Sequence, residues 1–121
     1  MTSSPDAIIR SFCEAWSDGD IEKIMGFFDV SAVYHNIPME PAEGLENIRG
    51  FIEGFFGMAS SIHFEILHQV VAGDVVMNER VDTLTIGENT IELPVAGIFE
   101  LTDGKITKWR DYFDMAQFTG A

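Results

Sequence analysis

The stretch VVMNERVDTLTI, residues 75–86, places Arg80 and Asp82 inside a run of apolar residues. Two apart on a strand, they project from one face. Burying such a pair is costly unless each charge is well bonded, so it is either a structural ion pair or part of a reaction. Two other apolar segments carry similar interruptions. In SAVYHNIP, Tyr34 and Asn36 share one face and His35 takes the other; in KITKWRDYFD, Asp111 sits between Trp109 and Phe113, with Lys108, Arg110 and Tyr112 opposite. Asp114 has the opposite parity and reads as a solvated strand end. Two carboxylates near a guanidinium can hold one proton between them, so that one acts as an acid while the other acts as a base. Singly, each group also fits an ordinary part: a cross-strand ion pair, a half-buried tyrosine, a turn-forming asparagine, or an aspartate bonded to a backbone amide.

These residues need a scaffold, and the periodicity supplies one. Over SSPDAIIRSFCEAWSDG, Ser4 is placed to cap a helix, Pro5 takes its first position, and Gly19 ends it. Ile8, Ile9, Phe12, Ala15 and Trp16 form its apolar face. DIEKIMGFF reads as a short second helix capped by Asp20, SAVYHNIP as a brief strand stopped by Pro38, and 45–56 as a third helix. That third helix has a wide stripe of Leu45, Ile48, Phe51, Ile52, Phe55 and Phe56. From Ser61 the period becomes two. Turn signals at 72–74, 87–89 and 102–105 separate four β-branched segments, an antiparallel meander, with Pro94 marking a bulge or an edge. Helices followed by a curled sheet make an α+β fold enclosing a pocket, in a single domain spanning 1–121.

Composition narrows the functions. The 121 residues are 46% hydrophobic with ten Phe, enough to fill a core and line a cavity. Twenty acids against seven bases leave a net charge of −13, which repels phosphate backbones and anionic lipid and argues against nucleic-acid and membrane partners. Cys13 stands alone, without a redox or metal motif, and reads as a buried small side chain. His35, His63 and His68 lack ligand spacing, so no metal is expected. MTSSPDAIIR does not read as a signal peptide, and no stretch reaches the ~20 apolar residues of a membrane span, so a cytoplasmic protein is expected.

Taken in order, VYHNIPMEPAEG, NERVDTL and GKITKWRDYFD resemble the limonene-1,2-epoxide hydrolase family of the NTF2-like (SnoaL-like) superfamily, from the first helix to about Phe118. The resemblance implies a cone-shaped barrel, with N-terminal helices packed on a curved, mixed but mostly antiparallel sheet. It also implies a cofactor-independent reaction in which water opens a small lipophilic epoxide to a vicinal diol without a covalent intermediate. In it Asp111 is the base, Asp82 the acid and Arg80 the bridge between them, while Tyr34 and Asn36 hold the water. Leu84 shares the face of Asp82, and Trp109 and Phe113 flank Asp111. With Leu93, Val95 and Phe118, which the resemblance adds, they are expected to form the substrate wall. A homodimer is expected because relatives commonly pair through the open sheet. The same scaffold leaves open a proton-transfer enzyme, ketosteroid-isomerase-like or polyketide-cyclase-like, and a non-catalytic binder of lipophilic ligands.

Overall fold

The computed structural model describes residues 4–119, with side chains described through residue 117. α1 runs Pro5–Asp18. The Ser4 side chain accepts from the Ala7 N–H at 3.2 Å at its start, and Gly19 closes it at φ 72°, a left-handed conformation that glycine adopts without strain. α2 is Ile21–Met25, capped by Asp20. It stops earlier than its apolar pattern suggests, because Phe28 is drawn into β1, Phe28–Asn36, opposite Ile106. β2, Ala42–Glu43, pairs with β1 and is too short to leave a periodic signal. α3 spans Leu45–Met58, two residues beyond its expected end.

The meander follows as expected: β3 Ser61–Ala72, β4 Val75–Ile86, β5 Asn89–Thr102 and β6 Lys105–Tyr112. All neighbours in the order β2-β1-β6-β5-β4-β3 are antiparallel except β1 and β6, so the sheet is mixed. Pro94 pairs opposite Val81 of β4 but lies outside the paired stretch of β6, which begins at Ala96. It is a local edge, where a missing N–H costs no ladder bond. One expectation is corrected: Asp114 does not end a strand. Its Oδ1 accepts from the Ala116 N–H at 3.0 Å at the start of α4, Met115–Thr119, an element too short to read from periodicity.

The inner face of the sheet is arranged in rows of register partners. Val76, Phe99, Trp109 and Tyr34 form an apolar row, on which the α1 aromatics pack; Phe12 meets Trp109 edge-on at 5.0 Å. The adjacent row is polar: Gln69, Asn78, Gly97, Asp111 and Asn36, contributed by five successive strands. Arg80 and Asp82 follow at the next two inward positions of β4. Among the described residues, no helix is long and apolar enough to cross a membrane.

Candidate active site

The two-residue period that turned Arg80 and Asp82 to one face turns that face inward. Arg80 is fully buried, and Asp82 and Asp111 are only 5% and 3% exposed. Arg80 lies one row from Asp111 and bridges both carboxylates. Its Nε donates to Asp82 Oδ1 at 3.0 Å, and its Nη2 donates to Asp82 Oδ2 at 2.9 Å and to Asp111 Oδ2 at 2.8 Å. Nη1 adds a longer bond to Asp111 Oδ1 at 3.3 Å. The planar fork thus holds two carboxylates within two hydrogen-bond lengths of each other. Its carbon also lies 4.8 Å from the centre of the Phe64 ring.

Gly97 makes this bridge possible, and neither its parity nor its type singles it out in the sequence. It lies between Asn78 and Asp111 in the polar row, directly under the guanidinium. A Cβ there would come within 2.8 Å of Asp111 Oδ1 and 3.0 Å of Asn78 Oδ1, and closer still to Arg80 Nη1. Gly97→Ala is therefore expected to displace the guanidinium. The cost is about 1–3 kcal/mol of stability by overpacking, with a large fall in activity, measurable by thermal melts and steady-state rates.

Tyr34 and Asn36 sit at the end of β1 beside Asp111, with the Tyr34 hydroxyl donating to Asn36 Oδ1 at 3.4 Å. This exceeds the usual O–H···O distance of about 2.8 Å and leaves both groups free to engage a third. Trp109 was expected to form part of the substrate wall. The structure instead places it one layer behind, fully buried, stacked on Tyr34 at 4.0 Å and donating its indole N–H to Asp111 Oδ1 at 2.6 Å. It contacts Asp111 and Tyr34 and is not among the residues that line the cavity. Leu84, Leu93, Val95 and Phe113 do line a cavity of about 370 Å³, together with Asp82, Asp111, Tyr34 and Asn36. The expectation for Phe118 lies outside the described side chains. The far wall comes from α3, through Phe51, Phe55 and Met58; the first two belong to its wide apolar stripe. Such a volume lies in the range of small-molecule sites.

Burial sets the electrostatics. Desolvation pushes Asp82 up to about 6, with the pull of Arg80 opposing it and the charge of Asp111 assisting. Burial works against the charge on Arg80, but Asp111 and Asp82 outweigh it and hold Arg80 above its usual range. Burial, then the charge of Asp111, raises Tyr34 well above its usual value, so it stays a neutral phenol. Among the described residues, no group of three or more His, Cys, Asp or Glu is arranged to hold a metal ion.

This geometry can be set beside known proteins. The family model described as the limonene-1,2-epoxide hydrolase catalytic domain matches residues 3–120. The chain belongs to the limonene-1,2-epoxide hydrolase family. As a member of that family it is 31% identical over 109 residues to the epoxide hydrolase EphG of Mycobacterium tuberculosis strain H37Rv, covering 88% of this chain and 71% of the relative. It also superposes with a TM-score of 0.86 on a structure described as an M. tuberculosis limonene-1,2-epoxide-hydrolase-like epoxide hydrolase. That match is 28% identical and covers 96% of this chain and 87% of the other. An NTF2-like protein of unknown function from Cytophaga hutchinsonii matches over 98% of this chain and 97% of its own, with a TM-score of 0.79. At 16% identity it shows the fold alone, which is NTF2-like.

Proposed function

We propose that this limonene-1,2-epoxide hydrolase-family chain, as one NTF2-like domain over 1–121, opens a lipophilic epoxide by direct attack of water. The reaction is concerted and gives a vicinal diol. The observation that carries this reading is a single buried guanidinium bonded to two carboxylates that both line an apolar cavity. A guanidinium with two ionised carboxylates buries a net negative charge, and one shared proton makes the cluster neutral. Burial decides where that proton sits, because desolvation raises Asp82 to about 6 against the pull of Arg80. Asp82 is therefore the acid that protonates the epoxide oxygen, and Asp111 the base that takes a proton from water.

Asp111 and the Tyr34–Asn36 pair can occupy both hydrogens of that water and leave a lone pair aimed at carbon. Ring opening then breaks one C–O bond as the new one forms, and the departing oxygen receives its proton from Asp82. The chain's own groups supply both proton transfers, so the reading calls for no cofactor. A proton-transfer enzyme acting through an enolate would leave the second carboxylate on Arg80 without a part.

A screen of terpene, cycloalkene and styrene-type epoxides, with chiral analysis of products, tests the reading. Diol from at least one class is expected; no diol from any would overturn it. The acid role also sets a pH dependence. The raised value of Asp82 means that the protonated form is favoured in the folded chain. Its contribution to stability is thus full below about 3.8 and lost as the pH rises through about 6. The competent acid is lost over the same upper limb, so kcat/KM is expected to fall above about pH 6, as a pH–rate profile reads directly.

The outer face of the sheet supports the homodimer. Val70, Met77 and Ile98 form a row of register partners there, with Val70 63% and Met77 46% exposed. Light scattering is expected to return a dimer that Met77→Asp dissociates. The single cysteine, Cys13, is buried and unpaired, which accords with a reducing, cytoplasmic compartment.

A further inference from the structure

A guanidinium has five N–H donors in a fixed plane, and in Arg80 all five have acceptors. Asp82 and Asp111 take four bonds; the fifth runs from Nη1 to Asn78 Oδ1 at 3.0 Å. Asn78 is nearly fully buried, does not line the cavity, and lies on the same inward face of β4 as Arg80 and Asp82.

An asparagine amide presents either oxygen or NH₂, and only the oxygen can accept from Arg80. What selects it is a chain of bonds ending in the first turn of α1. Asn78 Nδ2 donates to Gln69 Oε1 at 3.1 Å; Gln69 Nε2 donates to the Asp6 peptide oxygen at 3.1 Å and to Asp6 Oδ1 at 2.8 Å. The peptide oxygen accepts only. The bond from Gln69, then that from Arg10, holds the Asp6 carboxyl below its usual range, so it too only accepts. Gln69 must then turn its NH₂ toward α1 and its oxygen toward Asn78. Asn78 must in turn present NH₂ to Gln69 and oxygen to Arg80. The polarity of the whole series is set from its α1 end.

We infer that Asn78 is a positioning residue for Arg80, and that Gln69 and Asp6 fix its orientation, so that the guanidinium's angle to the two carboxylates is set from outside the cavity. The neutrality of Asn78 matters as well as its oxygen. It satisfies the fifth donor without adding a third buried negative charge to a cluster balanced by one proton. This rests on the epoxide reading for its catalytic consequence, but the clamp itself does not.

The test uses Asn78→Leu, Gln69→Leu and the double variant in the full chain, assayed with an epoxide that the wild type hydrolyses. Asn78→Leu is expected to lower kcat by about 10- to 100-fold with KM within about two-fold, since it misaligns the acid and base without touching substrate. Gln69→Leu is expected to lower kcat by a smaller factor. The double variant is expected to be no slower than Asn78→Leu alone, because both act through one bond. A purely structural role would leave kcat per folded molecule unchanged or make the two effects independent, and either result overturns the inference.

¹⁵N NMR of Arg80 supplies a readout that does not depend on turnover. Separate, slowly exchanging Nη signals are expected in the wild type, and the Nη1 pair is expected to merge in Gln69→Leu and Asn78→Leu. Unchanged Arg80 signals in Gln69→Leu would overturn the clamp even if Asn78→Leu did not fold. Merged signals in a protein that opens no epoxide would uphold the clamp and remove the functional reading instead.

Discussion

Asp82→Asn and Asp111→Asn are each expected to lower kcat on an epoxide substrate by about 10²–10⁴-fold, the range set by losing a positioned acid or base. Asparagine keeps the volume of aspartate but cannot take a proton from water or deliver a carboxylic proton to the leaving oxygen. The two losses are not expected to multiply, because the carboxylates work in the same step and share one guanidinium. Their pH profiles separate the roles. The decline above about pH 6 follows from deprotonation of Asp82, so the residual activity of Asp82→Asn is expected to lose that limb. Asp111→Asn is expected to keep it. Steady-state rates across pH, with thermal melts to confirm that each variant is folded, check both expectations. If Asp111→Asn loses the alkaline limb and Asp82→Asn retains it, the acid and base are interchanged.

Arg80→Lys is expected to be as severe, for a different reason. Lysine keeps the charge but offers three rotatable donors where the guanidinium offers five in a plane, and it cannot span β5 over Gly97 to hold both carboxylates. One carboxylate is then left buried without its ionic partner. The stability loss is expected to be on the order of 2–4 kcal/mol, and kcat/KM is expected to fall on the order of 10²–10³-fold. Chemical denaturation and steady-state kinetics read the two effects separately. A variant retaining wild-type kcat/KM would show that the bridge does not contribute to turnover.

Alternation of two made the inward carboxylates and Arg80 legible in the sequence, because a polar residue in an apolar strand declares its face. Asn78 shares parity with Arg80 and Asp82, but a neutral amide is less costly to bury than a charge and so marks a face less sharply. Gly97 gave no comparable signal. Its importance lies in what crosses above it, a contact between β4 and β6 that no local pattern records. For Trp109, parity specifies direction but not depth, which depends on α1 packing against it. The α3 stripe divides similarly, with Ile48 and Ile52 in the core and Phe51 and Phe55 in the cavity wall, because one helix face meets both. β2 and α4 span two and five residues, too few for a period to emerge.

Attack by water, rather than by an aspartate, is tested most directly by a single turnover in ¹⁸O-enriched water with enzyme in excess over epoxide. Direct attack by water places one ¹⁸O in the diol from the first turnover and none in the protein. An unlabelled diol from the first turnover, with ¹⁸O subsequently found in the carboxylate of Asp111 or Asp82, would mean an ester had formed and would contradict the account.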